Sequence, residues 1–232
     1  MTVAEGNFIR LSYTGKADDR IFDTTDEETA KGAGIHNPSA VYGPVMIRVG
    51  SRHVVVGLDD AVIGKEAGES GQEEVPPEQA FGPHDETRVE SVSIAKFPEK
   101  PRIGIQVELE NREGTVVNLI GRRAIVDFNH PLAGKTITYT YKVESIAETT
   151  DEKIRGLIHL YTQREMEVAE EGSTITIFLP PAIIYDRRWL LWRSRVVQEI
   201  FEYFPDVQDI VLQETFHRPE KKEAEEAGGQ ES

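Results

Sequence analysis

Histidine is the side chain suited to metal binding and acid–base work near neutral pH, and the chain has six: His36, His53, His84, His130, His159 and His217. They show no metal-ligand spacing, and the absence of cysteine removes thiolate ligands and disulfides, so no metal and no cofactor is expected. No Ser-His-Asp arrangement and no glycine-rich phosphate loop is present. Arg187, Arg188, Arg193 and Arg195 cluster beside Trp189 and Trp192. Basic and aromatic interleaving suits single-stranded nucleic acid, and it equally suits a solvated helix face or a subunit contact. Gly228-Gly229-Gln230, a tripeptide that release factors use in hydrolysis, lies in an acidic terminus with no apolar anchor. Asp23, ahead of Thr24-Thr25, can cap a turn. Tyr13, Phe22, Leu58 and Tyr141 lie on alternating or amphipathic apolar faces, where each taken singly fits ordinary core.

The chain has 232 residues, 38% of them hydrophobic, which suits one or two compact domains with real cores. Its formal net charge of −15 repels phosphate backbones and argues against nucleic-acid binding through the whole surface. The first residues, MTVAEGNFIRLSY, hold an acidic residue where a signal peptide is basic, and no apolar run there is long enough to span a membrane. A soluble cytoplasmic protein without membrane partners is the expectation.

These groups need elements to position them. Residues 8–13 (FIRLSY) alternate at period two and predict a strand, with a turn at Thr14-Gly15 and a second strand from Ile21-Phe22. Residues 24–44 have no sustained period and read as a long loop; residues 45–49 read as a strand. Leu58, Ala61, Val62 and Ile63, between Gly57 and Gly64, predict one short helix with Asp59 and Asp60 in its first turn. Ala80-Phe81-Gly82-Pro83 makes a turn. Residues 86–128 change to strands at 105–109, 111–114, 115–120 and 124–128, a β-rich unit built on hairpins. After a strand at 136–143, Thr149 and Glu152 fit a capping box opening an amphipathic helix with Ile154, Leu157, Ile158 and Tyr161. A strand at 173–179, a helix carrying Trp189, Trp192, Val196, Ile200 and Phe204, and a strand at 209–216 suggest a further small α/β domain. Residues 219–232 read as a disordered acidic tail.

Two segments far apart, residues 54–82 (VVVGLDDAVIGKEAGESGQEEVPPEQAFG) and 129–146 (NHPLAGKTITYTYKVESI), resemble the two halves of an FKBP-type peptidyl-prolyl isomerase core. Foreign sequence stands between them where that family carries the flap over its active site. The arrangement is similar to SlyD-like isomerases with a domain inserted in the flap, of the long archaeal type with an extra C-terminal domain. The resemblance implies an α+β fold: an FKBP-like antiparallel sheet wrapped on a short helix (residues 1–85 and 130–148), a β-rich insert-in-flap chaperone domain (86–129) and a C-terminal α/β domain (149–218).

The resemblance also implies a peptidyl-prolyl cis-trans isomerase and folding chaperone whose partners are unfolded or proline-containing polypeptides. It places Tyr13, Asp23, Phe81 and Tyr141 at the catalytic positions and Phe22, Val54, Val55 and Leu58 at the substrate-binding ones. In LSYTG, Tyr13 stands at the pocket tyrosine. In IFDTT, Phe22 and Asp23 stand at the pocket aromatic and the orienting carboxylate. Val54 and Val55 match the aliphatic pair whose backbone amide binds the residue before proline, Leu58 matches the pocket floor, and Tyr141 matches the back-wall aromatic. Phe81 departs from the usual tyrosine and removes a hydroxyl donor. The histidine-rich tail of many SlyD-like proteins is missing, so nickel delivery is not implied.

Two other readings stay open on residues alone: a non-catalytic holdase or assembly factor with a vestigial pocket, and an RNA-associated factor using the arginine-rich helix. Trp189, Leu190, Leu191 and Trp192 are consecutive, so their side chains point all round a helix. They call for a second covering surface, either a homodimer through the C-terminal domain or the same chain's isomerase domain.

Overall fold

Strand β1 (Phe8–Ala17) organises the first half of a computed structural model that describes residues 1–216 and 218. One edge of β1 pairs antiparallel with β9 (Ile137–Ile146); the other is shared by β2 (Arg20–Thr24), beside Thr14 to Ala17, and β3 (Val45–Arg48), beside Phe8 to Leu11. β4 (Ser70–Val75) completes the sheet on the far side of β9. The alternation seen in FIRLSY continues past Thr14-Gly15, and the expected turn falls instead at Asp18 and Asp19, both with positive φ (46° and 60°). Two left-handed residues in succession are what a tight hairpin between twisted strands requires, and Asp tolerates that region.

The segment after β2 leaves and rejoins the same edge of β1. Where a structureless loop was expected it holds α1 (Glu27–Gly32), whose first turn is capped by Asp26 through a 2.7 Å bond from the Thr29 amide. α2 (Val56–Ala61) lies under the sheet with Leu58 1% exposed. A Cβ on Gly57 would stand 2.3 Å from Val75 Cγ1, so only glycine lets the helix approach β4 this closely. The core joins Ile9, Leu11, Ile47, Leu58, Val62, Val75, Ile137, Tyr139, Tyr141 and Val143.

Residues 89–127 form a separate antiparallel sheet in the order β5 (Val89–Ser93), β8 (Arg123–Asp127), β7 (Arg112–Ile120), β6 (Gln106–Leu109). Its small core is Leu109, Val116, Ala124 and Val126 with Phe97 and Phe128 packed on it. The two strands expected at 111–114 and 115–120 are one, bent by an irregularity near Val117.

The chain divides into two compact units, Met1–Gly156 and the part from Leu157 onward. α3 (Thr150–Thr162) crosses the division and is capped by Thr149, whose Oγ1 accepts from the Glu152 amide at 3.2 Å. The Glu152 carboxylate meets Arg10 at 3.4 Å rather than closing the capping box. In the second unit β10 (Glu167–Glu171) and β11 (Thr174–Leu179) form a hairpin, and β12 (Asp209–Glu214) lies parallel to β11 after the long helix α4 (Arg187–Tyr203). The fold is α+β. Trp189, Val196 and Ile200 are buried as expected, while Trp192 is 44% exposed and its ring stacks on Tyr161. The tail 219–232, with Gly228-Gly229-Gln230, and His217 lie outside the described residues.

Candidate active site

A regular strand sends consecutive side chains to opposite faces. β2 is not regular: Gly15 pairs with Asp23 and Lys16 with Ile21, which leaves Phe22 as an extra residue. Such a bulge bends the strand and re-aims side chains. The Phe22 ring folds over Gly15, where a Cβ would stand 2.7 Å from Phe22 Cζ and 2.9 Å from Tyr139 Cε1. Gly15, where the sequence pattern predicts a turn, is the seat of two aromatic rings. On the neighbouring position the Tyr13 hydroxyl donates to Asp23 Oδ2 at 2.9 Å.

The rings form a continuous run. Tyr139 meets Tyr13 edge-on at 5.9 Å and 74°, and Phe22 at 6.2 Å and 78°. Phe22 in turn meets Phe81 edge-on at 5.7 Å and 81°. Phe81 carries His130 stacked on its face at 4.6 Å and 2°. Edge-on pairs are favoured by the ring quadrupole and fix orientation as well as position. Burial, seconded by the charge and hydrogen bond of Asp23, pushes the Tyr13 phenol well above its ordinary value. Burial and the same carboxylate push Tyr139 up to about 12. Both phenols therefore stay protonated at any physiological pH.

The turn into α2 carries the next residues that the sequence singles out. Val54 and Val55 pack on the core cluster, and Val55 is the extended residue before the helix whose carbonyl accepts from the Leu58 and Asp59 amides at 3.0 Å. Leu58 is buried below them. Asp59, expected only to favour the helix dipole, is 4% exposed and accepts from the Gly50 and Arg52 amides at 3.0 and 3.4 Å, tying that turn to the helix. Burial pushes its carboxyl up against the pull of those two backbone donors.

Tyr141 is placed differently from the expectation. It is buried, and its hydroxyl donates to the Ala61 carbonyl at 2.8 Å, at the end of α2. The ring that meets Tyr13 and Phe22 is Tyr139. Residues 139 and 141 share a face of β9, so the sequence offers both equally; the bulge in β2, which carries Phe22 toward Tyr139, decides between them. Tyr13, Phe22, Asp23 and Phe81 thus come together with Tyr139, and Val54, Val55 and Leu58 belong to the same hydrophobic cluster as these rings. Tyr139, Gly15 and His130 were the functional candidates missed; the repeated TYTY was the available signal for the first.

The Phe81 side of the site is tied to the two strands of chain that lead into and out of the β5–β8 sheet. Gly134 donates to the Gly82 carbonyl at 2.9 Å. Asn129, 8% exposed, accepts from the Asp85 amide at 3.0 Å and donates to the Asp85 carbonyl at 2.9 Å and to Asp127 Oδ1 at 2.7 Å. His84 Nε2 meets Asp127 Oδ2 at 2.9 Å. Hydrogen bonding to Asp127 first, with its charge, raises His84 above the usual imidazole value. Among the described residues no cluster of three or more His, Asp or Glu could hold a metal ion, and no helix is long and apolar enough to cross a membrane.

Family models match three stretches of the chain: FKBP-type peptidyl-prolyl cis-trans isomerase over residues 1–110, the FKBP26 IF domain over 94–132, and FKBP26 C-terminal over 150–217. Among curated relatives, the short-type peptidyl-prolyl cis-trans isomerase of Methanocaldococcus jannaschii is 29% identical over 153 residues, covering 65% of this chain and 98% of that protein. The FKBP-type isomerase SlyD of Treponema pallidum is 31% identical over 166 residues, 68% of this chain and 86% of the relative. SlyD of Helicobacter pylori is 28% identical over 127 residues, half of this chain and 66% of its own length. With a relative 31% identical and matched over 86% of its own length, the chain belongs to the FKBP-type peptidyl-prolyl cis-trans isomerase family.

Proposed function

We propose that Xaa-Pro isomerisation takes place on the cluster of Tyr13, Phe22, Asp23, Phe81 and Tyr139, with Val54, Val55 and Leu58 beneath the proline ring. Rotation about the bond faces a barrier of about 18–20 kcal/mol because resonance gives the C–N bond partial double-bond character, and uncatalysed exchange takes roughly 10–100 s. No proton has to move to lower that barrier. The planar amide is charge-separated and stabilised by water; the twisted one is less polar. An apolar wall of edge-packed rings that excludes water therefore favours the twisted state. Asp23, held by the Tyr13 hydroxyl, orients a hydrogen bond at the rim of that wall, and the backbone before α2 receives the residue preceding proline. The observation that carries the reading is the run of rings from Tyr13 to Phe81 closed by the Tyr13–Asp23 hydrogen bond.

The β5–β8 sheet holds unfolded polypeptide and presents it to the site, raising the local concentration of proline bonds by tethering. It hangs on the same linkers that position Phe81, which supports the coupling. Both parts are tested together. Asp23→Ala and Tyr139→Leu should lower turnover of a proline tetrapeptide in a protease-coupled assay with an unchanged circular dichroism spectrum; parental turnover in both would sink the site assignment. Replacing residues 86–129 by a short loop should spare tetrapeptide turnover and strongly reduce catalysed refolding of a proline-limited protein.

The second unit serves assembly. Ile184, Tyr185, Leu190, Leu191 and Trp192 are 48%, 81%, 50%, 65% and 44% exposed around the start of α4, and a second copy of the chain is their cover. Closed two-fold pairing is the commonest soluble assembly, and two sites on one dimer hold a client by avidity. Arg195 of the basic cluster is committed to the fully buried Glu199 at 2.7 Å, which takes it away from a nucleic-acid surface.

A further inference from the structure

We propose that His130 supplies the hydrogen-bond donor that the site loses by having Phe81, and that it meets the carbonyl of a substrate chain passing from the insert to the proline site. The inference rests on the placement of the isomerase site given above.

Three observations carry it. The first is position: the imidazole lies parallel on the face of Phe81 with ring centroids 4.6 Å apart. The His130 ring thus sits one stacking distance from the ring that replaces the family's tyrosine. The second is the tautomer. The Leu132 amide donates to His130 Nδ1 at 3.2 Å, and a ring nitrogen that accepts carries no proton, so the neutral imidazole holds its hydrogen on Nε2. Among the described residues no acceptor meets that Nε2, and the side chain is exposed. The ring is thereby fixed as an outward donor.

The third observation is continuity. His130 also lines a cavity of about 290 Å³ whose walls include Val107, Glu108, Glu113 and Thr115 of the insert and Phe128 and Pro131 of the returning chain. A polypeptide lying in that cavity lies against His130, and His130 in turn lies on Phe81 of the proline site. Its backbone is held in place there: the Ala133 amide donates to the His130 carbonyl at 2.8 Å, and the preceding Asn129 bonds both linkers. A donor on so fixed a support loses little freedom when it binds.

The test uses the full-length protein and the protease-coupled tetrapeptide assay. His130→Phe keeps a ring to stack on Phe81 and deletes the donor; it should lower kcat/KM roughly three- to tenfold, the range of one net hydrogen bond. Adding Phe81→Tyr to that variant returns a hydroxyl to the same rim and should restore most of the loss. His130→Leu serves as a second donor-free variant if the phenylalanine variant loses its native circular dichroism. Parental turnover in the donor-free variants overturns the proposal, and so does a double variant no better than the single one, since a purely steric role of the ring is not rescued by a hydroxyl. Asp23→Ala is measured alongside. If it also keeps parental turnover, the site placement has failed; if it alone loses turnover, only the donor role of His130 has.

Discussion

Gly15→Ala puts the geometry of the aromatic wall to a quantitative test. The new methyl would stand 2.7 Å from Phe22 Cζ and 2.9 Å from Tyr139 Cε1, so reaching ordinary contact at 3.4 Å requires the rings to withdraw by about 0.7 and 0.5 Å. Neither can do so freely, because Phe22 is packed on Phe81 and Tyr139 on Tyr13. Overpacking of this kind costs about 1–3 kcal/mol, which at roughly 2–4 °C per kcal/mol lowers Tm by about 2–12 °C. The functional loss should be larger in proportion. A misplacement of about 1 Å costs up to roughly a hundredfold in rate, and shifts of about half that size point to a fall in tetrapeptide kcat/KM on the order of tenfold. Gly32→Ala, at a helical position with nothing within 4 Å of the added Cβ, is the control and should be neutral or slightly stabilising. Calorimetry and the peptide assay on both variants decide the matter. A Gly15→Ala protein with the parent's Tm and turnover would refute the packing account of the site.

Tyr141→Phe should leave turnover near the parent's but lower stability by about 0.5–1.5 kcal/mol, because the Ala61 carbonyl loses its donor; a catalytic defect as large as that of Tyr139→Leu would reverse the roles assigned to the two tyrosines. His84, raised by its bond to Asp127, contributes stability that is fully present below its ordinary value of 6.5 and fades as pH rises through its folded value. Asp127, which is desolvated but lowered on balance by the Asn129 and His84 hydrogen bonds, contributes above its ordinary value of 3.8 and fades as pH falls through the folded one. The clasp between linkers is thus strongest between those limits, and the protection of the linker amides, corrected for intrinsic exchange, should fall from pH 6 to 8 in the parent but not in His84→Gln. Light scattering should give a dimer mass for the full chain at micromolar concentration and a monomer for Leu191→Glu; a monomeric parent removes the proposed assembly.

The sequence alone determined the family resemblance, because its motifs are local: the VVVGLDD turn into a short helix, AFG at the site's edge and the YTG and FDTT segments keep their chemistry whatever surrounds them. It also determined the strands whose apolar residues alternate, β1 and β11, and the helices with a buried stripe. It did not show β4, β5 or β10, and all three are edge strands. An edge strand is defined by hydrogen bonds along one side and keeps much of its surface in water, so SGQEEV and EVAEE carry little apolar pattern to read. The turn at Asp18-Asp19 escaped for a related reason: Thr14-Gly15 looked like a break, while the glycine was there to make room. Which tyrosine of TYTYKVE joins the aromatic wall could not be read at all. Both point to the same face at period two, and the choice depends on one extra residue in β2, which lies beyond β1 in the sheet and more than a hundred positions away. Only the tertiary structure decides it, because a bulge shifts register across strands and leaves no mark in the sequence of the strand it affects.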